Sequence, residues 1–270
     1  ADGYATEDAE KLGRTLAADN NKEIIKLDDY RKRYALYRKD KDLQALHQRH
    51  PFIVIWDDHE LANDTWRDGA ENHQASEGPF MERKLAALQA YFEWMPIRPI
   101  DEQHLKIYRQ FDFGKLVQLT MLDTRIIARD EQLDYANYMT ANGLDIAKFQ
   151  ADLTNPARTL MGYTQRDWLL GKLQQSTSTW NVLGQQILMT KMLVPAELLL
   201  SLAEITSGNP TADTLNKMNL QITELVTLKM RLKQGDPSLT SQEKARILTV
   251  APYNLDAWDG YFAEREILYG

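Results

Sequence analysis

The 270-residue chain contains no cysteine, which excludes disulfide frameworks and thiolate metal sites within it. Any metal held by these residues is therefore held by oxygen or by imidazole nitrogen. A long apolar run is also missing. The most hydrophobic stretch, residues 187–202, is broken by Thr190, Lys191, Pro195 and Glu197, well short of the roughly 20 apolar residues a membrane-spanning helix needs. Positive charge is in deficit: 32 Lys and Arg stand against 39 Asp and Glu, for a net charge of −7. A nucleic-acid-binding surface rests on clustered Lys and Arg, so this balance argues against one. No leader with a basic start and an apolar core is visible, and the first residue is Ala1 rather than Met, so the chain reads as trimmed at its start.

What is present suits a large α/β domain. The length allows a substantial core without a disulfide or structural metal. Helical spacing is expected over residues 5–18, 27–38 and 42–48, with Asp28 or Asp29 near the start of the second. Pro51 then stops helical structure, and Phe52-Ile53-Val54-Ile55-Trp56 follows without a polar break. Such a run reads as a strand buried on both faces. A long polar loop, 61–79, precedes an Ala- and Leu-rich helix over 81–94 closed by Pro96. Two antiparallel strands are expected at 107–113 and 116–122, turning at Gly114-Lys115, then a helix over 164–175 and a strand over 180–188. Helices interrupted by loops at 207–210 and 234–238 fill 196–248, and 253–269 opens as a loop and ends as a helix. Strands alternating with helices define the α/β class, and the absence of a repeat or low-complexity linker favours one domain.

The chemistry-bearing cluster stands where the apolar run ends, at Asp57-Asp58-His59-Glu60. In open α/β sheets ligands bind beyond the carboxyl ends of strands. Asp and Glu are hard oxygen donors, and an adjacent histidine serves either as a ligand or as a proton donor. A polar turn without chemistry has the same composition, since structural ion pairs gather such residues too.

The segment 52–60, followed by Asn63-Asp64 and Trp66, closely resembles the motif of the alkaline phosphatase D (PhoD-like) family. So do Leu27-Asp28-Asp29-Tyr30-Arg31, Asp68-Gly69-Ala70-Glu71-Asn72-His73, Glu93-Trp94-Met95-Pro96-Ile97-Arg98, Leu122-Asp123-Thr124-Arg125, Gly184-Gln185-Gln186 and Asp256-Ala257-Trp258-Asp259-Gly260-Tyr261. The resemblance implies a partial calcineurin-like metallophosphatase fold, a two-sheet sandwich flanked by helices, with helical insertions in this chain. It implies a single domain over 1–270, incomplete at both ends. It also implies two metal ions, calcium and iron, with manganese or magnesium as alternatives. Asp58 falls on the position of a metal ligand in the wider superfamily, and His59 on the histidine beside the phosphate.

Asn63 is read either as a further metal ligand or as a loop cap. Arg125 is read either as a clamp on phosphate oxygens or as the structural partner of Asp123 or another carboxylate. Asp57 and Glu60 are expected to orient their neighbours. His73 borders the substrate entrance or lies solvated in its loop, and His47, His50 and His104 are structural or exposed. Trp56, Trp94, Trp168, Trp180 and Trp258 are expected in the core. The implied activity is hydrolysis of phosphate mono- or diesters by the full-length parent, in the periplasm or outside the cell, with the chain itself inactive for want of ligands carried elsewhere. The alternatives are a phosphodiesterase acting on phospholipid or teichoic-acid-like diesters, and a non-catalytic α/β scaffold that keeps the motif as a relic.

Overall fold

The computed structural model describes residues 13–101, 105–140, 143–206 and 211–270. It is mixed α/β and divides into two compact units, one of Ala1–Glu131 with Thr159–Ile187, the other of Gln132–Arg158 with Leu188–Gly270.

In the first unit the helix Leu27–Tyr37 begins where the Asp29 carboxylate accepts the backbone N–H of Lys26 at 3.1 Å, which satisfies an orphan donor at the helix start. It packs against Phe80–Trp94, and Tyr30, Ala87, Leu88 and Tyr91 join Ile24, Trp56, Leu61, Ile107 and Ile126 in one core. Asp40 caps Lys41–Arg49 by accepting from Asp42 and Leu43. The helix expected over 5–18 is not found in its described part: 13–18 is turn and coil. Gly13 sits at φ 66°, a left-handed conformation open to glycine and hostile to helix. Residues 5–12 of that expectation, like His104 and the loop 207–210, lie outside the described residues.

The three-stranded sheet runs in the order Arg109–Phe113, Val117–Met121, Trp180–Gly184. The first pair is antiparallel and the second parallel. Gly114, at φ 60°, makes the hairpin turn, and the helix Tyr163–Gln175 provides the crossover that parallel strands require. Register puts Phe113, Val117 and Trp180 opposite one another, and likewise Phe111, Leu119 and Val182, so one face of the sheet is apolar. That face stands partly open: Trp180 is 64% and Phe113 53% exposed. The core placement expected for Trp180 is thereby corrected, because it lies on an edge strand with no described element over it. On the other face Gln118 and Thr120 are buried.

A second correction concerns 52–56. The segment lies in no ladder among the described residues, and Ile53 is exposed while only Trp56 is fully buried. Side chains take two of its carbonyls instead. Arg109 Nη2 donates to Val54 O at 2.6 Å, and Gln186 Nε2 to Trp56 O at 2.5 Å.

The second unit holds the helices Ala196–Thr206, Ala212–Lys233 and Ser241–Leu248 beside a strand pair, Leu193–Pro195 with Val250–Pro252. Leu225, Leu228, Leu239 and Ile247 form its helical core. Trp258 and the Asp259–Arg265 ion pair are buried in the last segment. Gly260 is obligatory there, since a Cβ would fall 1.8 Å from Leu255 O. Among the described residues no helix is long and apolar enough to cross a membrane.

Candidate active site

The site is built where three segments end in the first unit: the extended run at Trp56, the strand Val117–Met121 and the strand Trp180–Gly184. Residues 58–60 wind into one short 3-10 turn. The Asp57 carboxylate accepts the Asp58 N–H at 2.9 Å, and Glu60 Oε2 accepts the Asp57 N–H at 2.6 Å. Burial pushes the Glu60 carboxyl up from its ordinary range, against the opposing effect of that N–H.

Asp58 is the organising residue. Its side chain is 3% exposed, with Oδ1 accepting from His59 N at 3.0 Å and Oδ2 from Asp64 N at 2.7 Å. Asp64 takes φ 49°, a left-handed conformation that Asp tolerates better than most residues. That conformation turns its N–H inward onto the carboxylate. The resulting loop from 58 to 64 leaves His59 outward: its ring is 46% exposed, with Nε2 3.9 Å from Asp58 Oδ1.

Arg125 approaches from the neighbouring strand end. Its Nε donates to Asp57 Oδ1 at 2.8 Å, Nη2 lies 3.8 Å from Asp58 Oδ1, and the side chain is 6% exposed. The ion pair is therefore with Asp57. Asp123 instead accepts the backbone N–H groups of Arg125 and Ile126, each at 2.9 Å. Asp123 is fully buried and burial raises its carboxyl, opposed by those two N–H groups and by Lys84. The Trp56 indole also favours the ionised form, although its N–H and Asp123 Oδ2 make no hydrogen bond of good geometry. Lys84, itself buried and lowered by burial, donates to Ile126 O at 2.8 Å and Arg67 O at 3.0 Å.

Asn63 stands at the rim and donates to Glu71 Oε2 at 2.6 Å. His73 is not solvated in its loop. Its ring is 7% exposed, bonded to Gly78 O and packed on Arg83 and Phe80. His47 stacks on Phe52, and His50 is exposed.

Four residues that position the site escaped the sequence reading. Gln186 and Gln165 bond the ends of strands, Lys84 joins the loop at Arg67 to Ile126, and Asp64 caps Asp58. Lys84 left a trace, since it shares a helical stripe with Ala87, Leu88 and Tyr91. Asp64 and Gln186 stand in quoted motifs without a role attached.

Asp58 and Asn63 are oxygen donors of the chemistry that calcium or ferric iron accepts. They fit a metal in kind and fall short in number: among the described residues no three His, Asp or Glu converge to hold one.

These features define an α/β protein with an acid–imidazole–guanidinium cluster at its strand ends. The chain belongs to the PhoD-like phosphatase family, whose model matches residues 1–270. It is 39% identical over 175 residues to alkaline phosphatase D of Bacillus subtilis (strain 168), covering 64% of this chain and 28% of that protein. A solved structure titled "Structure of PhoD" matches with a TM-score of 0.61 and 30% identity, over 94% of this chain and 37% of that one. The chain thus spans well under half the length of both relatives.

Proposed function

We propose that the full-length protein hydrolyses phosphate mono- and diesters in the manner of alkaline phosphatase D, and that this chain supplies part of its site. The observation that carries the reading is the division of labour within one turn. Asp58 is buried with both oxygens oriented by backbone N–H groups, while His59 is presented to solvent directly beside it. An exposed imidazole held over a fixed carboxylate is placed to give a proton to a departing alkoxide. Arg125 and Asp57 hold that turn, so Arg125 acts by positioning rather than by clamping phosphate. Glu60 fixes the Asp57 backbone. Asp58 and Asn63 would contribute to a two-metal centre of calcium and iron, or manganese or magnesium, completed by donors elsewhere in the full-length protein. When bound, the metals would supply the positive charge that a transferring phosphoryl group requires. In this reading both units belong to one PhoD-like domain with a two-sheet sandwich, and the protein works in the periplasm or outside the cell. The test is metal analysis of the purified full-length protein together with assays on p-nitrophenyl phosphate and its bis ester. Absence of both metal and hydrolysis would leave the scaffold reading in its place.

A further inference from the structure

We propose that Gln186 is a positioning residue for this reaction, setting the backbone that presents Asp57 to His59 against the strand end that presents Asp123 to Arg125. The proposal rests on the phosphoester-hydrolase reading above. The segment ending at Trp56 has no ladder among the described residues, so regular structure does not hold the motif in place. Side chains do: Arg109 at Val54 O and, at the residue that adjoins the motif, the carboxamide of Gln186. Gln186 Nε2 donates to Trp56 O at 2.5 Å, while its Oε1 accepts from Thr124 Oγ1 at 2.6 Å and from Thr124 N at 3.3 Å. Donor and acceptor belong to one rigid planar group, so the separation of Trp56 from Thr124 is fixed by the width of an amide.

The contact closes a ring. Asp57 follows Trp56, Arg125 follows Thr124, and the Asp57–Arg125 ion pair at 2.8 Å joins them on the far side. Gln165 performs the same service one residue back, accepting from Asp123 N at 2.8 Å and donating to Asp123 O at 2.7 Å. Leu122 N donates to Gly184 O at 2.8 Å, which anchors Gln186 itself two residues beyond its strand. Only a group that donates at one end and accepts at the other fits between Trp56 O and Thr124. A protonated carboxylic acid meets that condition; a carboxylate, which only accepts, does not.

The experiment compares Gln186→Ala and Gln186→Glu with wild type in the full-length protein, on p-nitrophenyl phosphate and its bis ester. Gln186→Ala should lower kcat by about 10²-fold with KM within about threefold, the cost of a small misplacement at a reacting centre. For Gln186→Glu, kcat relative to wild type should be near unity at the acid end and fall as pH rises and the new carboxyl ionises against Trp56 O. Hydrogen exchange gives a reading independent of activity: in Gln186→Ala the amides of 57–64 should exchange about tenfold faster or more, with distant segments unchanged. Unchanged exchange over 57–64 overturns the proposal, as does a flat pH ratio for Gln186→Glu in an active enzyme. A wild-type protein that hydrolyses neither ester sinks the functional reading instead, and exchange alone then decides whether Gln186 holds the motif.

Discussion

Replacing Lys84 by methionine should destabilise the protein by about 2–4 kcal/mol. The methionine keeps an apolar stem on the buried helix face that Ala87, Leu88 and Tyr91 share but removes the donor to Ile126 O and Arg67 O, at 2.8 and 3.0 Å. Each carbonyl left without a partner in the interior costs about 1–3 kcal/mol. Part of that is returned because a buried ammonium no longer has to be desolvated. For a unit of this size the net loss corresponds to a fall in melting temperature of about 5–15 °C. Its pH dependence has a definite sign. Burial lowers the Lys84 pKa below its ordinary 10.5, so the unfolded chain holds the proton to higher pH than the folded one. Wild-type stability therefore gains from this group as pH rises through the window below 10.5, and is lost as pH falls through the folded value. The methionine variant has no such gain, and its deficit should widen between neutral pH and pH 10. Calorimetry of both full-length proteins across that range is the measurement. A melting temperature within about 1 °C of wild type, or a deficit that shrinks with pH, refutes the reasoning.

His59→Ala should lower turnover about 10²–10⁴-fold, as loss of a positioned acid does, while leaving bound metal and melting temperature unchanged because the ring is exposed; near-normal turnover removes His59 from the mechanism. Asp58→Ala should deplete metal and activity together, whereas Asp57→Ala should retain metal and weaken activity less, by freeing Arg125; elemental analysis of both variants reports the reverse order if the ligand is Asp57. The 270-residue chain alone should bind calcium and iron poorly and hydrolyse p-nitrophenyl phosphate far more slowly than the full-length protein, since affinity follows ligand number; turnover within about tenfold of the parent would show the site to be self-contained.

Most of the helices were legible because their signals are local, the stretch expected over 5–18 being the exception in its described part. Asp29 and Asp40 cap where polar residues precede periodic apolar ones, and Leu27–Tyr37, Phe80–Trp94 and Tyr163–Gln175 fall within a residue or two of the expected bounds. The hairpin at Gly114 was legible for the same reason. Residues 52–56 have a strand's composition, but a ladder depends on a partner that local sequence does not name. The Asp58–His59 turn stood out through its motif. Its supports did not, because they come from far along the chain: Gln186 reaches Trp56 across 130 residues, and Arg125 reaches Asp57 across 68. Nothing in the neighbourhood of Arg125 chooses Asp57 over Asp123; only the meeting of a strand end with the segment that ends at Trp56 does.

Trp180 has a practical use. It stands 64% exposed in the apolar face that Phe113, Val117 and Val182 share, while Trp56 and Trp258 are sealed in their cores. Indole emission shifts to the blue when water is removed, so the difference spectrum between wild type and Trp180→Phe isolates one fluorophore that reports on that face alone. Recorded in the chain and again in the full-length protein, the same subtraction measures whether the sheet is covered, without a label and at the dilution of an enzyme assay.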